Sequence, residues 1–227
     1  MQILRRGGWL STVVQGVPQL GALVRHMRPT IHLASVAALD PPTLHSLGNG
    51  GVITGMIWDV DGTLMARNAS AVAPELEPAF TRLLAEPQLR HVILSNSEER
   101  RFVELSAIFP GIPVIRVYDG PDGLIVRRRI GTCDSCAGAD GVIRRPSART
   151  LRKPSVSLVR AALAELGCSA PTRAVMVGDQ YLTDVAPANS LGVRTVKVRT
   201  VQPRSFPMAV RVLQAAERAL YRFSFNR

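Results

Sequence analysis

Two aspartates, Asp59 and Asp61, close the apolar run in IWDVDGTLMA (57–66). On an extended backbone residues i and i+2 point to one side, so both carboxylates would face the same space. Gly62 then lets the chain turn away, with Thr63 beside it. Other polar groups end later apolar runs: Ser95-Asn96 after HVIL, Asp179 after AVMVG, and Asp184 one helical turn further on. Lys153 lies ahead of a helical stretch. Carboxylates gathered this closely repel one another and need a cation; an all-oxygen set suits Mg²⁺. An ammonium among them suits a phosphate, and metal and lysine together would neutralise a phosphoryl group in flight. One carboxylate can then act as a nucleophile that carries the phosphoryl group. Another can protonate the leaving group and afterwards activate water.

Such a set works only if the chain brings its members to one edge. The apolar pattern predicts strands at 52–58, 91–95, 113–117, 174–178 and 193–198. Helical patterns fall between them at 75–86, 98–109, 155–167 and 182–191, with a last helix at 207–223. Strands alternating with helices predict an α/β protein: three layers, α/β/α, Rossmann-like, around a parallel sheet of about five strands. The strands are continuous apolar runs, as expected when both sheet faces are covered. In an open parallel sheet, ligands bind at the carboxyl ends of the strands, where these residues are expected.

Two stretches fall outside this rhythm. Residues 1–51 read as an N-terminal arm, with a basic-flanked amphipathic helix at 9–27, kinked or split at Pro18, and an approach segment at 29–51. Residues 52–227 form the main domain, and 119–150 read as an insertion with a hairpin around LIVRRRI. The insertion holds Cys133 and Cys136, half of a zinc site with no second pair; loop cysteines without a special role are the simpler reading.

The 227 residues include 46% hydrophobic side chains, enough for a core, and only three cysteines, which favours a reducing, cytoplasmic setting. The net charge is +11, and the first 39 residues hold no acid. A basic balance suits an anionic partner, although a genome that writes arginine freely accounts for part of it. Only Lys153 and Lys197 are lysines among 28 basic residues, so a retained lysine is informative. A compact ammonium is the better point charge beside phosphate and carboxylates. Lys153 has that context; Lys197, in the last strand, is expected at the surface.

DVDGTL, SNS (95–97), RKPS (152–155) and GDQYLTD (178–184) resemble, in order, the four signatures of the haloacid dehalogenase (HAD) superfamily of phosphohydrolases. The likeness covers about residues 52–198. It implies Asp59 as nucleophile and Asp61 as acid/base. Ser95 and Lys153 would hold the phosphoryl group, with Gly62, Thr63 and Asn96 at the phosphate. Mg²⁺ would bind Asp59, the Asp61 backbone carbonyl and Asp179, with Asp184 orienting the metal's surroundings through water or Lys153. GDQYLTD followed by ANSLG, and the approach segment before the first strand, are similar to the capless branch that includes phosphatidylglycerophosphate phosphatases. Only about 30 residues separate Asp61 from the next strand, so no large cap fits there. Gly62 and the long insertion depart from that branch.

The implied partner is an anionic phospholipid, met by peripheral association with the inner face of a membrane. The alternative is a soluble metabolite or a nucleic-acid end phosphate. The insertion's arginines, Arg127, Arg128, Arg129, Arg144, Arg145 and Arg149, carry no aromatic residue among them, so base stacking lacks a platform and nucleic acid is disfavoured.

Overall fold

The computed structural model describes residues 17–121, 123–137 and 149–225. Six strands form its parallel core: β1 (Ile31–His32), β9 (Arg194–Lys197), β8 (Ala174–Gly178), β2 (Gly55–Trp58), β3 (Arg90–Leu94) and β4 (Val114–Gly120), in that spatial order. The helices are α1 (Val17–Val24), α2 (Pro41–Leu47), α3 (Glu77–Leu84), α4 (Glu99–Ile108), α5 (Val156–Glu165), α6 (Ala186–Asn189) and α7 (Met208–Phe225).

Side chains alternate across the central strands and build two cores. Met56 and Trp58 join Phe80, Leu83, Phe102 and Leu105 on the α3/α4 face. Ile57, between them, joins Leu158, Val159, Ala162 and Leu163 of α5 on the other. Burial on both faces explains the unbroken apolar runs. Each fully buried side chain of this size contributes about 1.5–3 kcal/mol. The three-layer α/β/α prediction therefore holds, and no large cap follows β2.

The strand count exceeds the predicted five because of the approach segment. Ile31 and His32 pair in parallel with Val196 and Lys197, and Asp40 caps α2 by accepting from Thr43 N at 2.9 Å. Two residues are too few to show a strand period in a sequence.

The insertion extends the same sheet. β4 runs into β5 (Gly123–Ile130) and β6 (Cys133–Ala137) as antiparallel neighbours, and β7 (Arg149–Thr150) returns along the outer part of β4. Its arginines are internally committed: Arg127 pairs with Glu99 and Asp134, Arg128 with Glu165 at 2.6 Å, and Arg129 with Asp134 at 2.9 Å. Arg144 and Arg145 lie outside the described residues. Cys133 is a free, exposed thiol.

Of the helix expected at 9–27, residues 9–16 lie outside the described residues. The described end packs on the domain: Leu23 and Met27 are buried against Tyr181 and Ala186. Asn189 Nδ2 donates to the carbonyls of His26 and Arg28, at 2.8 and 2.7 Å.

Candidate active site

β2, β3, β8 and β9 run parallel, so their carboxyl ends share one edge. Asp59 follows β2, Ser95-Asn96 follow β3, and Asp179 follows β8. Asp184 arrives by a π-helical turn, Tyr181–Val185, a rare geometry that recurs at functional sites. Gly178 permits the approach, because a Cβ there would lie 2.5 Å from the Cβ and Cγ of Asp184.

Asp59, Asp179 and Asp184 are buried, and each offers a carboxylate oxygen within 4.8 Å of the other two. Lys153 is buried among them: its Nζ donates to Asp59 and, at 2.7 Å, to Asp184. Burial pulls the Lys153 pKa down, but the charges of Asp184 and Asp59 outweigh it and the ammonium is held charged. For Asp179, burial, then the charges of Asp59 and Asp184, push the pKa up to about 8; the pull of Thr200 and of the Lys197 charge is the weaker influence. The Asp179 Oδ1 is buried with no hydrogen-bond partner among the described residues, and Gln214 Nε2 reaches Oδ2 only at 3.5 Å. Burial likewise raises Asp184 to about 6, against the pull of Lys153. An orphaned carboxylate oxygen inside a three-carboxylate cluster fits a hard divalent cation, whose charge removes the repulsion.

The neighbouring groups have structural tasks. Thr63 donates to Asp59 Oδ2 at 2.8 Å and is fully buried. Gly62 has φ +96°, and a Cβ on it would sit 2.9 Å from Asp179 Oδ2. Ser95 is half-buried at the same edge. Asn96 grips the backbone of Lys153 from both sides, accepting from its N at 2.6 Å and donating to its O at 3.2 Å.

The Asp61 side chain stands apart from the three clustered carboxylates. Its Oδ1 accepts from Asn68 N at 3.1 Å and from Arg101 Nη2 at 3.0 Å. Arg101, buried in the first turn of α4, had no place in the sequence reading. A signal existed, since cations oppose the dipole at a helix start and need a reason to be there. Lys197 is a correction: it is buried, not at the surface. Its Nζ donates to Val198 O at 2.8 Å and lies 4.7 Å from the Tyr181 ring centroid. Pairing with Gly178 in register puts it beside Asp179.

An α/β/α domain with this motif order along one sheet edge is HAD-like. The comparison with known families agrees: residues 150–204 match the HAD-hydrolase-like family. Over 164 residues the chain is 30% identical to phosphatidylglycerophosphate phosphatase 1, chloroplastic, of Chlamydomonas reinhardtii. That alignment covers 69% of this chain and 48% of the relative, so the chain spans about half of the relative's length. A crystal structure of an uncharacterized protein from Listeria monocytogenes serotype 4b aligns at 17% identity, covering 68% of this chain and 85% of the other, with a TM-score of 0.41.

Proposed function

We propose that this protein is a Mg²⁺-dependent phosphatase whose substrate is a phosphomonoester of the phosphatidylglycerophosphate type. The observation that carries the reading is the placement of Lys153 between Asp59 and Asp184, with an Asp179 oxygen of the same cluster unpartnered among the described residues.

Asp59, Asp179 and the Asp61 carbonyl are suited to hold the cation, which when bound would screen the phosphoryl oxygens from the carboxylates. Thr63 fixes one oxygen of Asp59. The carboxylate attacks phosphorus, the bond to the alcohol oxygen breaks, and Asp61 gives that oxygen a proton. Asp61 then takes a proton from water, which attacks the aspartyl phosphate; inorganic phosphate leaves and Asp59 is restored. Ser95 and Lys153 hold the transferred group, and Asn96 acts on it through the Lys153 backbone.

The lipid substrate is supported by the name of the relative, the absent large cap and the basic charge. The engaged arginines of β5 speak against a nucleic-acid track. The test is phosphate release with Mg²⁺ from phosphatidylglycerophosphate in vesicles, compared with sugar, nucleotide and DNA-end phosphates, for wild type and Asp59→Asn. Release from the lipid, abolished in a folded Asp59→Asn protein, is expected. Full activity in that variant would overturn the aspartyl-phosphate route, and preference for a soluble ester would overturn the lipid.

A further inference from the structure

Helix α7 carries its polarity the wrong way round for a helix that only closes a core. Its inward face holds Gln214 and Glu217, both buried. Gln214 reaches Asp179, and Glu217 accepts from the backbone N–H groups of Tyr181 and Leu182. Four large apolar residues point outward: Met208 is 67% exposed, and Val212, Leu213 and Leu220 are exposed as well. At 3.6 residues per turn these four share a stripe about 140° wide. Arg211, Arg218 and Arg222 line one margin of it. The sole acid of the helix is the buried Glu217.

On that basic margin lies a cavity of about 380 Å³, lined by His32, Tyr181, Arg218, Tyr221 and Arg222. His32 Nε2 and Tyr181 Oη are hydrogen-bonded to each other at 3.0 Å on one wall, and the two guanidinium groups beside them form a set for a phosphate-bearing anion. The cavity shares α7 with the apolar stripe.

We propose that α7 is the face by which this protein lies on an anionic bilayer, its stripe among the acyl chains and the basic cavity receiving an anionic lipid headgroup. The occupant is chosen by charge. A second copy meeting the same face would bring like arginines together, whereas an anionic surface gives each a favourable partner, in keeping with the net charge of +11. Among the described residues no helix is long and apolar enough to cross a membrane. Gln214 touches Asp179 from the inner side of α7, so the outer side lies about one helix diameter, roughly 10–12 Å, from the carboxylates. Phe206, just ahead of α7, packs on Gly62. The inference rests on the proposed lipid reading for its purpose; its geometry stands independently.

The experiment is co-sedimentation of the full chain with phosphatidylcholine vesicles, with and without a phosphatidylglycerol fraction. Wild type is expected to bind the anionic vesicles, more weakly as salt rises. Val212→Asp/Leu213→Asp should weaken binding by about tenfold or more, since two apolar side chains leave the acyl region. Arg218→Gln/Arg222→Gln should remove the preference for anionic vesicles. Both variants should keep the wild-type circular dichroism spectrum. Absence of wild-type binding, or undiminished binding by the stripe variant, would overturn the proposal. So would a dimer in sedimentation velocity that the stripe substitutions dissolve. Binding needs no turnover: vesicle binding without lipid hydrolysis would refute the substrate and leave this face standing.

Discussion

Arg101 donates to Asp61 across 3.0 Å from the first turn of α4, with its side chain only 8% exposed. The two residues lie 40 positions apart in the chain, one just past β2 and the other on α4. The pair holds the Asp61 carboxylate away from the cluster at Asp59, and in the proposed mechanism that separates the acid/base group from the nucleophile. Arg101→Met is expected to lower kcat by about ten- to a hundredfold with little change in KM, because a misplaced acid/base loses part of a factor of 10²–10⁴. Breaking the pair should also cost about 1–2 kcal/mol of stability, read from urea unfolding. Wild-type kcat in a folded Arg101→Met protein would reduce the pair to packing.

Lys153→Arg should not be neutral, despite the chain's preference for arginine. Nζ already contacts two carboxylates in a buried hollow, and a planar guanidinium is wider than an ammonium. A fall in kcat of about a hundredfold is expected. Turnover equal to wild type would remove Lys153 from the chemistry.

Asp179→Asn should weaken Mg²⁺ binding, measured by calorimetry without substrate, by about tenfold or more. It also relieves the repulsion that burial and the neighbours Asp59 and Asp184 impose. The metal-free variant should therefore melt no lower than metal-free wild type. Mg²⁺ affinity equal to wild type would exclude Asp179 as a ligand.

His91 makes the fold acid-sensitive. Trp58 Nε1 donates to its Nδ1 at 3.1 Å, and burial lowers its pKa from 6.5 to about 4. The unfolded chain takes up a proton near its ordinary value while the folded chain does not. Stability is therefore lost as pH falls from 6.5 toward 4, by roughly 2 kcal/mol across that window. Denaturant midpoints for wild type and His91→Gln should converge as pH falls. A gap that is constant with pH would show that His91 does not carry the effect.

The strands, most helices and the edge for chemistry were legible in the residues because each is written locally. A continuous apolar run announces a doubly covered strand, and polar residues just past its end announce the site. Asp59 and Asp179 stand at such strand ends, and Lys153, ahead of a helix, stands out by the scarcity of lysine; the fold brings the three together. The same signs mark Lys197, which closes β9 and is the second of two lysines, and it too is buried, paired in register with Gly178 next to Asp179.

Three features depend on distance through space and have no local signature. The Arg101–Asp61 pair joins different βα units, and only packing brings them together. β1 is two residues long and exists because β9 offers it an edge. The outward stripe of α7 has the same apolar period as any core-facing helix. A period says that a helix has an apolar face, but the neighbours decide which face is buried. Here the backbone N–H groups of Tyr181 and Leu182 are satisfied by Glu217, and so its polar face turned inward. Residue order was sufficient for the edge where the chemistry sits, because strand ends and their polar residues are adjacent in the chain. Which face of α7 stays exposed was set by which helix face the rest of the fold could satisfy.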